Sequence, residues 1–197
     1  MDDDDTASSQ LAERYHTALE GIDQAVLERV PDRMGLSGLF LPSVPPGLHL
    51  ARQRIMIVGA ETAGWNVLKP GEPFRTLDAY VAKAMAKHSE FFQRQLRQGP
   101  ARGRTFFNFV REVARCCGSE GLIYSNLFCF DWKGGSPMRS KAHYEMVQHY
   151  SARLLKVQVD YFKPDIIIFA NGSASAGARR ACFPISGAHK VCDKGRD

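Results

Sequence analysis

The chain has 197 residues, 44% hydrophobic and 24% charged, with a formal net charge of +5 at pH 7. That is enough to bury the core of one domain, or two small ones, while no apolar run approaches the ~20 residues that span a bilayer. The opening MDDDDTASSQ is acidic and lacks the basic and apolar regions of a signal peptide, so a cytoplasmic protein without membrane contact is expected.

Residues 1–50 read as an N-terminal helix and an ordered loop packed on the core. Asp2 to Asp5 are expected to form a solvated tail, with Ser8 and Ser9 as candidate caps. Leu11, Tyr15, Leu19, Ile22 and Val26 then make one apolar helical stripe, closed by Pro31. The following segment is rich in Pro and Gly but carries Leu36, Leu39, Phe40 and Leu41, which marks it as packed rather than free.

Residues 51–183 read as an α/β domain. Ile55 to Val58 is an unbroken apolar run, the signature of a strand buried on both faces. It breaks at Gly59 into a loop with a carboxylate, Glu61, a second glycine, Gly64, and an indole, Trp65. In open α/β sheets, ligands bind outside the carboxyl ends of the parallel strands, which is where this loop falls.

A long helix follows, capped by Thr76, with Leu77, Val81, Met85, His88, Phe92 and Leu96 on one face and His88 half-buried in that stripe. After the basic GPARGR turn, a second helix covers Thr105 to Cys117, with Phe106, Phe109, Val110 and Val113 inward and Gly118 as its stop. Nine basic residues lie between Arg75 and Arg115 against three acids, either a phosphate-binding surface or a solvated face. The five cysteines form no C-x-x-C pair, which argues against a zinc or iron–sulfur site, and adjacent Cys116 and Cys117 read as small apolar packing residues.

Leu122 to Tyr124 begin a second strand, interrupted by Asn126. This amide either satisfies neighbouring backbone or reads a ligand with its one acceptor and two donors. The WKGGSP loop precedes a long helix from Arg139 to Phe162, and Ile166 to Phe169 form a third strand. A turn at Asn171–Gly172–Ser173 leads into a last helix, Ser175 to Cys182. The β/α alternation predicts a three-layer α/β/α fold with a short central parallel sheet. Residues 184–197 carry no pattern, and the domain is expected to stop one strand early.

Three motifs at the three strand ends, GAETAGWN, YSNLF and PDIIIFANG, resemble those of the uracil-DNA glycosylase superfamily. The first is similar to the G-Q-E-T-N-G-W variant of bacterial glycosylase-like proteins. The resemblance implies a glycosylase fold and a DNA partner, duplex or single-stranded, with no metal and no cofactor. It implies hydrolysis of the N-glycosidic bond of a flipped-out uracil or 5-substituted pyrimidine, in repair or in defence against phages with modified DNA. Glu61 would orient water and stabilise charge developing on the sugar, where otherwise it caps the next helix. Asn126 would read the base, with Gly59, Ala60 and Gly172 around it and Trp65, Phe74 or Phe128, each equally able to serve as core, stacking on it. Arg102, Arg104, Lys133 and Ser173 would meet the DNA backbone.

The chain departs from the family pattern in three places. Ala60 stands where relatives carry glutamine or another polar residue. The late His-Pro segment is missing, and His189 lacks both the proline and a preceding strand. Ala63 and Gly64 stand where uracil-specific members place a tyrosine against the pyrimidine 5-position, which implies room for a larger base. The rival expectation is a DNA- or modified-base-binding protein that does not cleave. A nucleotide-binding α/β protein is disfavoured because the Gly59 loop has neither G-x-G-x-x-G spacing nor a P-loop lysine.

Overall fold

The short apolar runs become the strands of one parallel sheet. In a computed structural model, described here for residues 3–28, 35–69 and 71–183, β1 (Ile55–Gly59) lies between β2 (Leu122–Asn126) and β3 (Ile166–Phe169). Every residue of β1 is buried, so both faces of the sheet's centre are covered, as its lack of alternation demands. In register, Ile55 pairs with Leu122 and Ile166, and Gly59 pairs with Asn126. Beyond the strand ends the chains continue side by side: Leu127 N–H donates to Gly59 O (2.9 Å) and Phe128 N–H to Ala60 O (2.9 Å). Among the described residues, no helix is long and apolar enough to cross a membrane.

The helices are α1 (Asp3–Leu19), α2 (Gln24–Leu27), α3 (Leu77–Arg97), α4 (Thr105–Cys117), α5 (Tyr144–Phe162) and α6 (Ala176–Cys182). The Thr76 hydroxyl accepts from Ala79 N–H at 3.2 Å and starts α3 where the cap signal places it. At the far end of α4, Gly118 takes a left-handed turn (φ 86°) and donates its N–H to Ala114 O. Leu39, Phe40 and Leu41 are all fully buried, with Leu39 N–H donating to the Tyr80 hydroxyl at 3.1 Å.

Several expectations are corrected. The first helix starts at Asp3, so Asp3 to Asp5 are helical rather than a tail, and Asp4 accepts a hydrogen bond from Gly47 N–H. Ser8 and Ser9 are therefore interior, and the Ser9 hydroxyl donates back to Asp5 O. The stripe also does not run on to Val26: α1 stops at Leu19, Gly21 turns left-handed (φ 83°), and Asp23 caps a separate short helix. Pro31 lies outside the described residues.

His88 is fully rather than half buried. Phe109 is exposed, and Phe107 takes the inward place because positions 107, 110 and 114 keep the three-and-four spacing of a single face. Cys116 and Cys117 are exposed at the end of α4. The helix expected from Arg139 begins at Tyr144, after a 3₁₀ turn over Pro137–Arg139. β3, an edge strand like β2, is not buried as β1 and β2 are, and its Ile166 is 44% exposed. The expectations for residues 184–197, including His189, lie outside the described residues.

Candidate functional site

The carboxyl ends of β1 and β2 open onto a cleft of about 590 Å³. That is within the range usual for small-molecule sites. The sequence-derived candidates Gly59, Ala60, Glu61, Trp65 and Asn126 all line it. Phe40, Phe91, Phe106, Phe107 and Tyr124 supply aromatic walls, and Lys87 the cation.

Gly59 and Asn126, paired across the ladder, form the floor. A Cβ on Gly59 would lie 2.5 Å from Asn126 Oδ1 and 3.3 Å from Phe106 Cζ, so only a hydrogen at that position admits the amide and the ring. Asn126 is 5% exposed, and neither its Oδ1 nor its Nδ2 has a hydrogen-bond partner among the described residues. Beside the amide stands the Tyr124 hydroxyl, whose pKa burial pushes well above its ordinary value while the nearby amide partly offsets that rise. A buried amide without partners costs about 1–3 kcal/mol, which a group entering the cleft could offset.

The loop above this floor is fixed by Asp131, a residue the sequence did not single out. Its buried carboxylate accepts from the Thr62 hydroxyl (2.8 Å), Gly64 N–H (2.8 Å) and Trp65 N–H (3.3 Å) through Oδ2, and from Gly134 N–H (2.8 Å) through Oδ1. One charge thus holds both the loop after β1 and the turn after β2. Glu61, half-buried on the same loop, has its pKa raised, first by loss of water and second by the negative charge of Asp131.

Trp65 is 8% exposed and locked in place. Its indole N–H donates to Leu39 O (3.2 Å), and its ring meets Phe40 and Phe91 edge-on at 5.3 and 5.5 Å. The Lys87 ammonium sits 5.4 Å from the Trp65 ring centroid and donates to Asn66 O.

The remaining candidates are placed elsewhere. Phe74 packs beside Tyr80 (centroids 5.9 Å apart), and Phe128 is buried against Tyr144, so neither lines the cleft. Gly172 and Ser173 are exposed in the turn after β3, where Ala170 is the lining residue instead. Arg102 and Arg104 are exposed in the turn that leads into α4 and its cleft-lining Phe106 and Phe107; Arg104 donates to Gln98 Oε1. Lys133 is exposed with its ammonium over the Trp132 ring (4.9 Å). No histidine lines the cleft among the described residues.

The arrangement offers a cleft lined by aromatic rings set mostly edge to face, an amide able to give and accept hydrogen bonds, and one carboxylate held short of full hydration. Those are the elements that would recognise a planar heterocycle with mixed donors and acceptors. No known protein family, curated protein or solved structure matches the chain.

Proposed function

We propose that this chain is a glycosylase-like protein of the uracil-DNA glycosylase type, which takes a flipped-out pyrimidine into the cleft and hydrolyses its N-glycosidic bond. The carrying observation is the orphaned Asn126 amide at the floor of an aromatic slot, beside the Glu61 loop. Asn126 would complete its hydrogen bonds on the edge of the base, recovering the cost of its burial only when the ligand is present. Phe106, whose ring stands beside Gly59, would turn aside to admit the base and then stack on it.

Glu61 would orient water and stabilise positive charge on the sugar. A carboxylate short of water interacts more strongly with that charge than one in bulk solvent. Ala63 and Gly64 leave the loop without a bulky wall and favour a 5-substituted pyrimidine over uracil alone. The helices would form the two outer layers of a three-layer fold, and Arg102 and Arg104 would meet the backbone of the DNA.

A second reading, base binding without cleavage, is favoured by a specific feature: the recognition surfaces are complete, while no histidine among the cleft's described residues faces a departing base. One experiment separates the two. Duplex and single-stranded DNA bearing uracil, 5-hydroxymethylcytosine or glucosylated cytosine is incubated with the chain, and alkali-labile sites and retention on a filter are measured across a salt series. Cleavage that Glu61→Gln abolishes while retention persists supports the glycosylase. Retention without cleavage supports the binder, and base-independent retention, or none, overturns both.

A further inference from the structure

A second cavity, of about 640 Å³, lies between α3, α4 and the Ser43–Pro46 segment, and Tyr124 lines it as well as the cleft. Its apolar side is built from Phe92, Leu96 and Tyr124, with the Phe92 and Tyr124 rings 5.5 Å apart. His88, also lining it, is held by Ser43 N–H at Nδ1 (3.0 Å) and lies 3.2 Å from Tyr124 O at Nε2. Burial depresses its pKa to about 3, so it brings no charge at neutral pH.

The charge comes from α3 and α4. Arg97 donates to Gln93 Oε1 (3.1 Å), and Arg111 to Gln95 O (2.8 Å) and to Asn108 Oδ1. Among the described residues neither guanidinium meets a carboxylate, whereas Arg115, also on the rim, is paired with Glu112. Arg111 Nε is buried with no partner among the described residues, and so is the neighbouring Gln95 Oε1. Glu120 is the one carboxylate among the lining residues. Two guanidiniums held only by neutral acceptors, at the border of an apolar hollow, retain most of their capacity for a bidentate anion.

We propose that this cavity binds a small organic anion, an aryl or alkyl carboxylate or phosphate monoester. Its apolar body would rest on Phe92, Leu96 and Tyr124, and its charge would meet Arg97 and Arg111. Both halves are required, since inorganic phosphate leaves the hollow unfilled and a neutral arene leaves the guanidiniums unanswered. The site is independent of the reading given for the cleft.

Titration of the isotope-labelled chain with benzoate, phenyl phosphate, benzyl alcohol and inorganic phosphate, followed by amide chemical shifts, tests it. Saturable shifts at Ser89, Leu96 and Ala114 are expected for benzoate or phenyl phosphate. Affinity for benzyl alcohol and inorganic phosphate should be about tenfold lower or worse. Benzoate binding alone assigns the carboxylate class, and phenyl phosphate alone the phosphate class. Leu96→Trp, which fills the hollow, should abolish binding. Arg97→Gln, at an exposed position whose loss the fold tolerates, should weaken it by a similar factor even if Leu96→Trp fails to fold. Absence of saturation, shifts confined to Glu61–Trp65, or affinity unchanged in Arg97→Gln would overturn the proposal.

Discussion

Asn126 Oδ1 occupies the space that a side chain on Gly59 would need, 2.5 Å from where its Cβ would stand. The two residues are register partners at the last rung of the β1–β2 ladder. Gly59→Ala should therefore push the amide aside and cost about 1–3 kcal/mol in urea denaturation, the usual range for overpacking. The same change made in an Asn126→Ala background should cost measurably less, because the atom it collides with is gone. Equal costs in both backgrounds would mean that Phe106, not Asn126, sets the limit.

Asn126→Leu should raise stability while removing ligand recognition. Among the described residues neither polar atom of this buried amide has a hydrogen-bond partner, and an apolar side chain of the same branching carries no such penalty. The expected gain is about 1 kcal/mol by denaturant midpoint. A destabilised variant that still bound modified DNA would contradict the role given to this residue.

Glu61 makes a pH-dependent contribution of determinate sign. Its folded-state pKa is raised by burial and by Asp131, so the folded chain holds the proton more tightly than the unfolded chain. Stability from this group is full below the ordinary carboxylate pKa and is lost as pH rises through the raised value. Glu61→Gln should thus match the wild type near pH 4 and exceed it in thermal midpoint at neutral pH. In Asp131→Asn, carboxyl-carbon titration should find Glu61 moved back toward the ordinary value.

His88 acts in the opposite direction. Its folded pKa of about 3 lies below the unfolded value, so its contribution is present above the unfolded pKa near 6.5 and is lost as pH falls toward 3. Unfolding free energy should decline on acidification with a slope approaching one proton, about 1.4 kcal/mol per pH unit. His88→Gln, able to keep one of the two ring contacts, should flatten that slope even where it lowers the plateau. An unchanged slope would place the acid sensitivity elsewhere.

The strands were legible because each is a short apolar run ended by a polar or glycine-containing turn, and α3 because Thr76 caps a regular stripe. The floor of the cleft was legible for the same reason: Gly59 and Asn126 are where two of those runs end. Lys87 and Phe91 were not, since they lie one turn apart on a second face of α3, and periodicity shows the face in the core without showing what the other faces meet. Asp131 was hidden more deeply. In LFCFD it reads as the polar end of an apolar run, yet its donors Thr62, Gly64 and Trp65 stand more than sixty residues earlier. No local pattern encodes a hydrogen-bond acceptor whose partners come from another strand's loop.

That shared carboxylate also limits how the protein can be re-engineered. With the loop after β1 and the turn after β2 tied to opposite oxygens of Asp131, neither transplants alone. A chimera importing a new 60–66 loop without matching donors would leave a buried anion undercompensated, and would disturb the 132–135 turn it never touched. Libraries aimed at changing what the cleft accepts should therefore vary Ala63, Phe106 and Phe107 freely, and keep Thr62, Gly64, Asp131 and Gly134 together as one inherited cassette.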